Sequence, residues 1–283
     1  MVPSERRERR VLRVSQSAEI RRLAVLGSPI GHSKSPALHR AAYEVLGLPW
    51  QYEAVEVREG ELATQLGELD STWRGLSLTM PLKREVLPLL DELDELAAQS
   101  QLANTVLIDG GRRRGFNTDV GGIVAALAEA GIEAPQRVLV LGSGATATSA
   151  IFAARELGAD AVLAARSPEK AHGPAERHGL GEAAELIATA DVVISTIPAG
   201  AGHDIRLPAL DAHQALLDAV YDPWPTPLVA AWRQAGGAVI DGLAMLLHQA
   251  VLQERIFVNG DPALPLEREA EVAEAMRRAV ERS

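Results

Sequence analysis

A lysine and an aspartate on different loops, each set among hydroxyl and amide side chains, are the residues of this chain best suited to chemistry. Three polar clusters carry them: Ser33-Lys34-Ser35-Pro36, then Ser77-Leu78-Thr79-Met80-Pro81-Leu82-Lys83, then Asn104-Thr105 with Asn117-Thr118-Asp119. Each falls at a strand end or a helix start, where α/β folds build their sites. Adding hydride to a ketone creates an alkoxide, which needs a nearby cation or proton donor; in reverse, the alcohol must lose its proton. Lys83 and Asp119 have the types for that acid/base pair. Residue types alone leave structural roles open as well: Ser35 as a helix cap, Thr79 as a strand residue, Lys83 and Asp119 as solvated charges at helix starts.

A second feature lies further along. Gly142-Ser143-Gly144-Ala145-Thr146-Ala147 follows an apolar strand and opens a helix, fitting G-x-G-x-x-A. The glycines permit a tight turn and let the backbone approach a pyrophosphate, whose charge rests on the free N–H groups of the helix start. A glycine-rich turn without a ligand is the alternative. The next strand runs Leu163-Ala164-Ala165 into Arg166-Ser167, with Lys170 nearby. NAD sites usually place an acid at that strand end, and an acid would repel a 2′-phosphate. A guanidinium can grip one through two parallel hydrogen bonds, so the pattern favours NADP over NAD. Arg166 as a plain solvated loop charge is the other reading.

The elements that must position these groups follow from periodicity. Leu23–Leu26 reads as a buried strand ended by Gly27. Ser35 then caps a helix with Pro36 in its first turn, Leu38, Ala41, Ala42, Val45 and Leu46 on one face, and Gly47 as its stop. Residues 51–57 alternate as a half-buried strand, 61–69 form a polar-faced helix, and Leu76–Thr79 is a short strand closed by Pro81. Residues 84–98 read as helical. Asp109-Gly110-Gly111 turns a hairpin between Asn104–Ile108 and Arg113–Phe116. This is an N-terminal α/β unit with a mixed sheet.

After Asp119 a helix runs to Gly131, and buried strands are expected at 138–141, 161–164, 192–194, 216–220 and 238–240. Their cadence is that of a Rossmann-type doubly wound parallel sheet. A helix from Leu243 has positions 243, 246, 247, 250 and 251 on one stripe, and a final helix carries Val272, Ala275, Met276 and Ala279. The expected seam gives one unit from 1–119 plus 243–283 and a second from 120–242.

At −10, the net charge offers no basic face for nucleic acid or an anionic membrane. No stretch reaches the run of about 20 apolar residues that a membrane helix needs. With no cysteine there is no disulfide, thiolate catalysis or cysteine-held metal, and the composition fits a cytoplasmic address. The histidines show no metal-ligand spacing. The arginine-rich opening lacks an apolar segment and carries Glu5 and Glu8, so residues 1–17 read as a disordered extension rather than a targeting peptide.

In order along the chain, the motifs Gly27–Pro36, Ser77–Lys83, Ala103–Val106, Gly115–Asp119, Asp218–Pro227 and Gly242–Gln249 resemble those of the shikimate dehydrogenase family. The resemblance runs from Leu23 to about Gln253. It implies a substrate domain with a mixed sheet, a Rossmann-type NADP domain, and NADPH-dependent reduction of 3-dehydroshikimate to shikimate in the shikimate pathway to aromatic amino acids. It also implies roles by position. Ser33, Ser35 and Tyr221 would bind the substrate carboxylate; Thr79, Asn104, Asp119 and Gln249 its ring hydroxyls. Lys83 and Asp119 would be the acid/base pair, with Lys83 the essential member. NADP would fall to Gly142, Ser143, Gly144, Ala145, Arg166, Ser167, Lys170 and Gly242, with Thr196 near the adenosine or pyrophosphate and Met245 near the nicotinamide. The expected partner is a small-molecule substrate, and the chain a monomer or homodimer.

The chain departs from the family pattern at three places. Ser77 replaces a common Asn, Gln101 a Gly, and Ala165 an Asn before the arginine. Rival readings are a catabolic quinate/shikimate dehydrogenase and a non-catalytic NADP-binding regulator on the same fold. The position of Gln249 off the apolar stripe makes exposed surface its default, and the resemblance moves it into the cleft.

Overall fold

Two six-stranded sheets organise the computed structural model, which describes residues 19–198 and 205–281. The expected disordered extension over 1–17 lies outside the described residues. In the first sheet the strands are β1 (Arg22–Gly27), β2 (Gln51–Glu56), β3 (Trp73–Leu78), β4 (Glu92–Leu93), β5 (Thr105–Asp109) and β6 (Arg112–Phe116). Their order is β2-β1-β3-β5-β6-β4. β1 runs parallel to β2 and β3, whereas β5 is antiparallel to β3 and β6, so the sheet is mixed as expected. Gly110 and Gly111 both take positive φ (57° and 82°), which a two-residue hairpin turn of matching twist requires.

The second sheet is wholly parallel: β7 (Arg137–Leu141), β8 (Asp160–Ala165), β9 (Glu176–Gly179), β10 (Val192–Ser195), β11 (Ala215–Asp218) and β12 (Ala238–Ile240). Its order, β12-β11-β10-β7-β8-β9, is the doubly wound arrangement in which the chain reverses between β7 and β10. β9 was not expected from the sequence. Its four residues, Glu-Arg-His-Gly, carry no apolar side chain that would mark a strand.

Among the described residues, ten helices connect and cover the sheets: α1 (Ser35–Leu46), α2 (Leu62–Gly67), α3 (Leu82–Glu85), α4 (Glu95–Ser100), α5 (Thr118–Glu129), α6 (Ala145–Glu156), α7 (Ala183–Ile187), α8 (Pro227–Gln234), α9 (Gly242–Asn259) and α10 (Glu269–Glu281). Among the described residues, no helix is long and apolar enough to cross a membrane. Continuous apolar strands arise because both sheet faces are covered. Leu23 and Val25 of β1 face a core shared with α1, α9 and α10, while Ala24 and Leu26 face a second core with α2 and β3. In β7, Val138 and Val140 meet α5 and α6, and Leu139 and Leu141 meet α7 and α8.

Two local expectations are corrected. Ser35 is not the cap of α1 but its first residue; Lys34 precedes it, and no side chain caps this end. The segment 84–98 is not one helix. Pro88 has no N–H to continue the ladder, so α3 gives way to a short 3₁₀ turn (Leu87–Leu89) and then β4. A separate α4 begins where the Asp94 carboxylate accepts the Ala97 N–H at 2.7 Å.

Candidate active site

Both cavities of interest lie at the ends of strands. The smaller, about 240 Å³, is walled by Ser33 and the first residue of α1 (Ser35), the end of β3 (Ser77, Thr79), Lys83, Asn104, Asp119, Tyr221 and the inner face of α9 (Met245, Gln249, Gln253). The larger, about 1250 Å³, runs from Thr79–Arg84 across Gly142–Thr146 to Arg166, Ser167 and Lys170, with Thr196 in its wall. They share Thr79, Met80, Lys83 and Thr146.

Lys83 stands in the single turn of α3, its carbonyl held by the Ala103 N–H at 2.9 Å. Asp119 stands in the first turn of α5, whose start is capped by the Asn117 side chain, its Oδ1 accepting the Asp119 N–H at 3.2 Å. From these two helix starts the Lys83 ammonium donates to Asp119 Oδ2 at 2.5 Å, both groups being buried. Asn104 completes the arrangement. Its Nδ2 donates to Asp119 Oδ1 at 2.7 Å and to Thr118 Oγ1 at 2.9 Å. Its Oδ1 accepts from the Thr118 N–H and the Thr105 hydroxyl. The carboxylate is therefore bonded on both oxygens, and the ammonium keeps donors free for the cavity.

Gln249 comes to this group because α5 lets α9 approach. A Cβ on Gly122 would collide with the Gln249 backbone and side chain. Gln249 is buried, its Oε1 3.4 Å from Asn104 Nδ2, in the cavity to which the resemblance moved it and not on the exposed surface that the stripe alone suggests. The stripe reading failed because α9 is buried nearly all round, with polar Gln249, Gln253 and Glu254 facing other side chains rather than water. Tyr221 follows β11, where Asp218 accepts from the Thr226 hydroxyl at 2.6 Å and from the Val220 N–H, fixing the loop. Burial, helped by Asp222, raises the Tyr221 phenol pKa, which keeps it a neutral donor.

In the larger cavity Gly142 has φ of +115° and lies so close to the Thr196 side chain that a Cβ would overlap Thr196 Oγ1. Gly144 faces open space. That leaves a backbone cradle at the start of α6 with room above it. Arg166 is exposed at the end of β8 with no acid at that strand end, and among the described residues no ion-pair or hydrogen-bond partner is recorded for its side chain. These features fit a dinucleotide bearing a 2′-phosphate.

The structure brings Ser33, Ser35, Thr79, Lys83, Asn104, Asp119, Tyr221 and Gln249 into the smaller cavity, and Gly142, Ser143, Gly144, Ala145, Arg166, Ser167, Lys170 and Thr196 into the larger. Gly242 and Met245 line the smaller cavity rather than the larger. Residues 25–106 match the shikimate dehydrogenase substrate binding domain. A shikimate dehydrogenase (NADP(+)) of Ignicoccus hospitalis is 32% identical over 246 residues, 84% of this chain and 94% of that protein.

The chain belongs to the shikimate dehydrogenase family.

Solved relatives share the architecture. A shikimate 5-dehydrogenase from Thermus thermophilus, in complex with NADP(H) and shikimate, is 34% identical with a TM-score of 0.78, covering 92% of this chain and 99% of that one. A quinate dehydrogenase from Corynebacterium glutamicum, in complex with NAD, is 28% identical with a TM-score of 0.80, covering 93% and 98%.

Within this shikimate dehydrogenase fold, several wall residues were missed by reasoning from the sequence. Arg84 and Arg206 add cations to the larger cavity. Burial lowers the pKa of the Arg84 guanidinium, which reaches Thr148 Oγ1 only at 3.5 Å. Gln253, one helical turn beyond Gln249, was also missed; its i+4 spacing from Gln249 was the available clue. Of the three departures, Ser77 accepts from the Tyr52 hydroxyl at 2.7 Å and donates to Gln253 Oε1 at 2.9 Å. Gln101 caps α4 in the left-handed region (φ 55°), a conformation glycine takes without strain. Ala165 lies in the wall of the larger cavity.

Proposed function

We propose that this protein is an NADP-dependent shikimate dehydrogenase that reversibly reduces 3-dehydroshikimate to shikimate, a cytoplasmic step toward aromatic amino acids. The observation that carries this reading is the buried Lys83–Asp119 pair at the junction of the two cavities. A nicotinamide reaching that junction from the larger cavity would supply hydride to the ketone carbon. The carbonyl oxygen of a substrate in the smaller cavity then lies within reach of the Lys83 ammonium, which gives it a proton as alkoxide forms, with Asp119 holding the ammonium in place. In the oxidative direction the same pair takes the hydroxyl proton.

Ser33, Ser35 and Tyr221 bind the substrate carboxylate by hydroxyl hydrogen bonds in this reading, and Thr79, Asn104, Asp119 and Gln249 hold the ring hydroxyls. Gly142, Ser143, Gly144 and Ala145 cradle the pyrophosphate, and Arg166, Ser167 and Lys170 hold the 2′-phosphate. Thr196 sits on the adenosine or pyrophosphate side and Met245 on the nicotinamide side, with Gly242 also a cofactor residue. Residues 1–119 with 243–283 form the substrate unit and 120–242 the NADP unit. Support for that division comes from α9 and α10, which share a core with β1 and α1. The chain acts as a monomer or homodimer.

The likeness to a quinate dehydrogenase bound to NAD favours a second reading, a catabolic quinate/shikimate enzyme. A spectrophotometric assay pairing shikimate and quinate with NADP and NAD separates them. Fastest turnover of shikimate with NADP supports the first, and fastest turnover of quinate with NAD the second. No turnover in any pairing rejects both and leaves a nucleotide-binding regulator.

A further inference from the structure

Along the wall of the smaller cavity and behind it runs a line of buried polar groups, of which Tyr52, Ser77, Gln253 and Thr105 have no part in the reaction as described. The Tyr52 hydroxyl donates to Ser77 Oγ at 2.7 Å, and Ser77 donates to Gln253 Oε1 at 2.9 Å. Gln253 Nε2 donates to Thr105 Oγ1 at 2.9 Å and to the Asn104 carbonyl at 3.3 Å. The Thr105 hydroxyl donates to Asn104 Oδ1 at 2.8 Å, and Asn104 Nδ2 donates to Asp119 Oδ1 at 2.7 Å. Tyr52, Ser77, Gln253, Thr105 and Asn104 are all buried, at 4% relative exposure or less.

The donors along this line point one way, from the phenol toward the carboxylate. Tyr52 is fully buried, stacked on His39 with ring centroids 4.0 Å apart, and burial pushes its phenol pKa far up. It therefore acts as a donor. Each hydroxyl further along accepts from behind and donates ahead, and such chains polarise cooperatively. An isolated carboxamide can flip by half a turn at little cost; Asn104 cannot, because its Oδ1 must face the Thr105 hydroxyl and the Thr118 N–H. Gln253 has its amide hydrogens spent on Asn104 and Thr105 and its oxygen engaged by Ser77. It has no donor left for a substrate.

We infer that Gln253 is a positioning residue. With Tyr52 and Ser77 it fixes the orientation of the Asn104 carboxamide, and through it the Asp119 carboxylate that holds Lys83. This rests on the proposed dehydrogenase activity. The wild-type assay with shikimate and NADP tests that activity independently.

The test is steady-state kinetics of Gln253→Leu and Tyr52→Phe, with a melting curve for each. Gln253→Leu should lower kcat about tenfold, the consequence of disorienting one buried charge-assisted hydrogen bond, and leave KM for NADP unchanged. Tyr52→Phe keeps the stacked ring and should lower kcat about two- to fivefold, being further from Asp119. Gln253→Glu supplies a pH signature. Ionised, it cannot donate to Thr105; protonated, it can, so its kcat relative to wild type should rise as the pH falls. A Gln253→Leu enzyme that melts earlier but turns over at the wild-type kcat would overturn the proposal. If that variant does not fold, an unchanged kcat in Tyr52→Phe overturns it instead.

Discussion

The two cavities meet at Lys83 yet are built on opposite plans. In the smaller one the polar side chains around the Lys83–Asp119 pair are tied to one another: Lys83 to Asp119, Asp119 to Asn104, Asn104 to Thr105 and Thr118, Thr105 to Gln253. In the larger one the walls are backbone at Gly142–Ala145, together with Arg166, Lys170 and Arg206. Among the described residues those three cations make no side-chain hydrogen bond or ion pair. A site that moves a proton gains from geometry fixed before the substrate arrives. A site that holds a phosphorylated cofactor can leave its cations unpaired, because the ligand brings the counter-charge.

The contrast can be broken most sharply at the shared residue. Lys83→Ala should cut kcat by about two to four orders of magnitude, with a far smaller change in shikimate KM. Near-normal turnover in that variant would remove the chemistry from the smaller cavity. Arg166→Ala addresses the unpaired cations: losing a charge-assisted pair should raise KM for NADP roughly ten- to a hundredfold and leave NAD almost untouched. Equal losses with both cofactors would make Arg166 structural. Gly142→Ala addresses the backbone cradle. Its positive φ and the neighbouring Thr196 side chain should raise KM for NADP and NAD together, by about tenfold for a strain of ~1–2 kcal/mol.

The smallest effect concerns the frame behind the smaller cavity. Arg255 of α9 grips Glu269 of α10 through Nη2–Oε1 at 2.5 Å and Nε–Oε2 at 2.7 Å. Those bonds, opposed by partial burial, lower the Glu269 pKa. A carboxylate depressed on folding stabilises the fold above its ordinary pKa of about 4.3, and that contribution is lost as the pH falls through the folded value. Glu269→Gln should therefore cost roughly 1 kcal/mol at neutral pH and almost nothing in acid, as urea unfolding at the two pH values would show. A loss that is the same at both would assign the effect to packing.

Much of this was legible from residue order. Buried strands announced themselves as apolar runs, as in Val138–Leu141, because both faces of each sheet are covered. The glycine cradle and the arginine after β8 carried their meaning in local spacing. What failed to show was whatever depends on a distant neighbour. The 84–98 segment has helical composition, but Pro88 and the Asp94 cap divide it. β9 has no apolar residue, since it is held by its ladder to β8 rather than by side-chain burial. Gln249 lies off the stripe of its helix, and only the approach of α5 makes that position interior; Gln253, at the stripe's edge, is buried against Ser77 and Thr105. Gln101 reads as a polar loop residue until its backbone is seen to occupy a left-handed cap.

The wall that α9 lends to the smaller cavity has a consequence for biosynthesis of the molecule itself. Asn104 and Gln249 are 145 positions apart, and Ser77 and Gln253 are 176 apart. A nascent polypeptide that has emerged as far as β12 already holds every strand of both sheets, but its reaction chamber stands open on one side. Only once α9 has followed can that side be closed, so the enclosure of this cavity waits on a helix translated after the strands that form its floor.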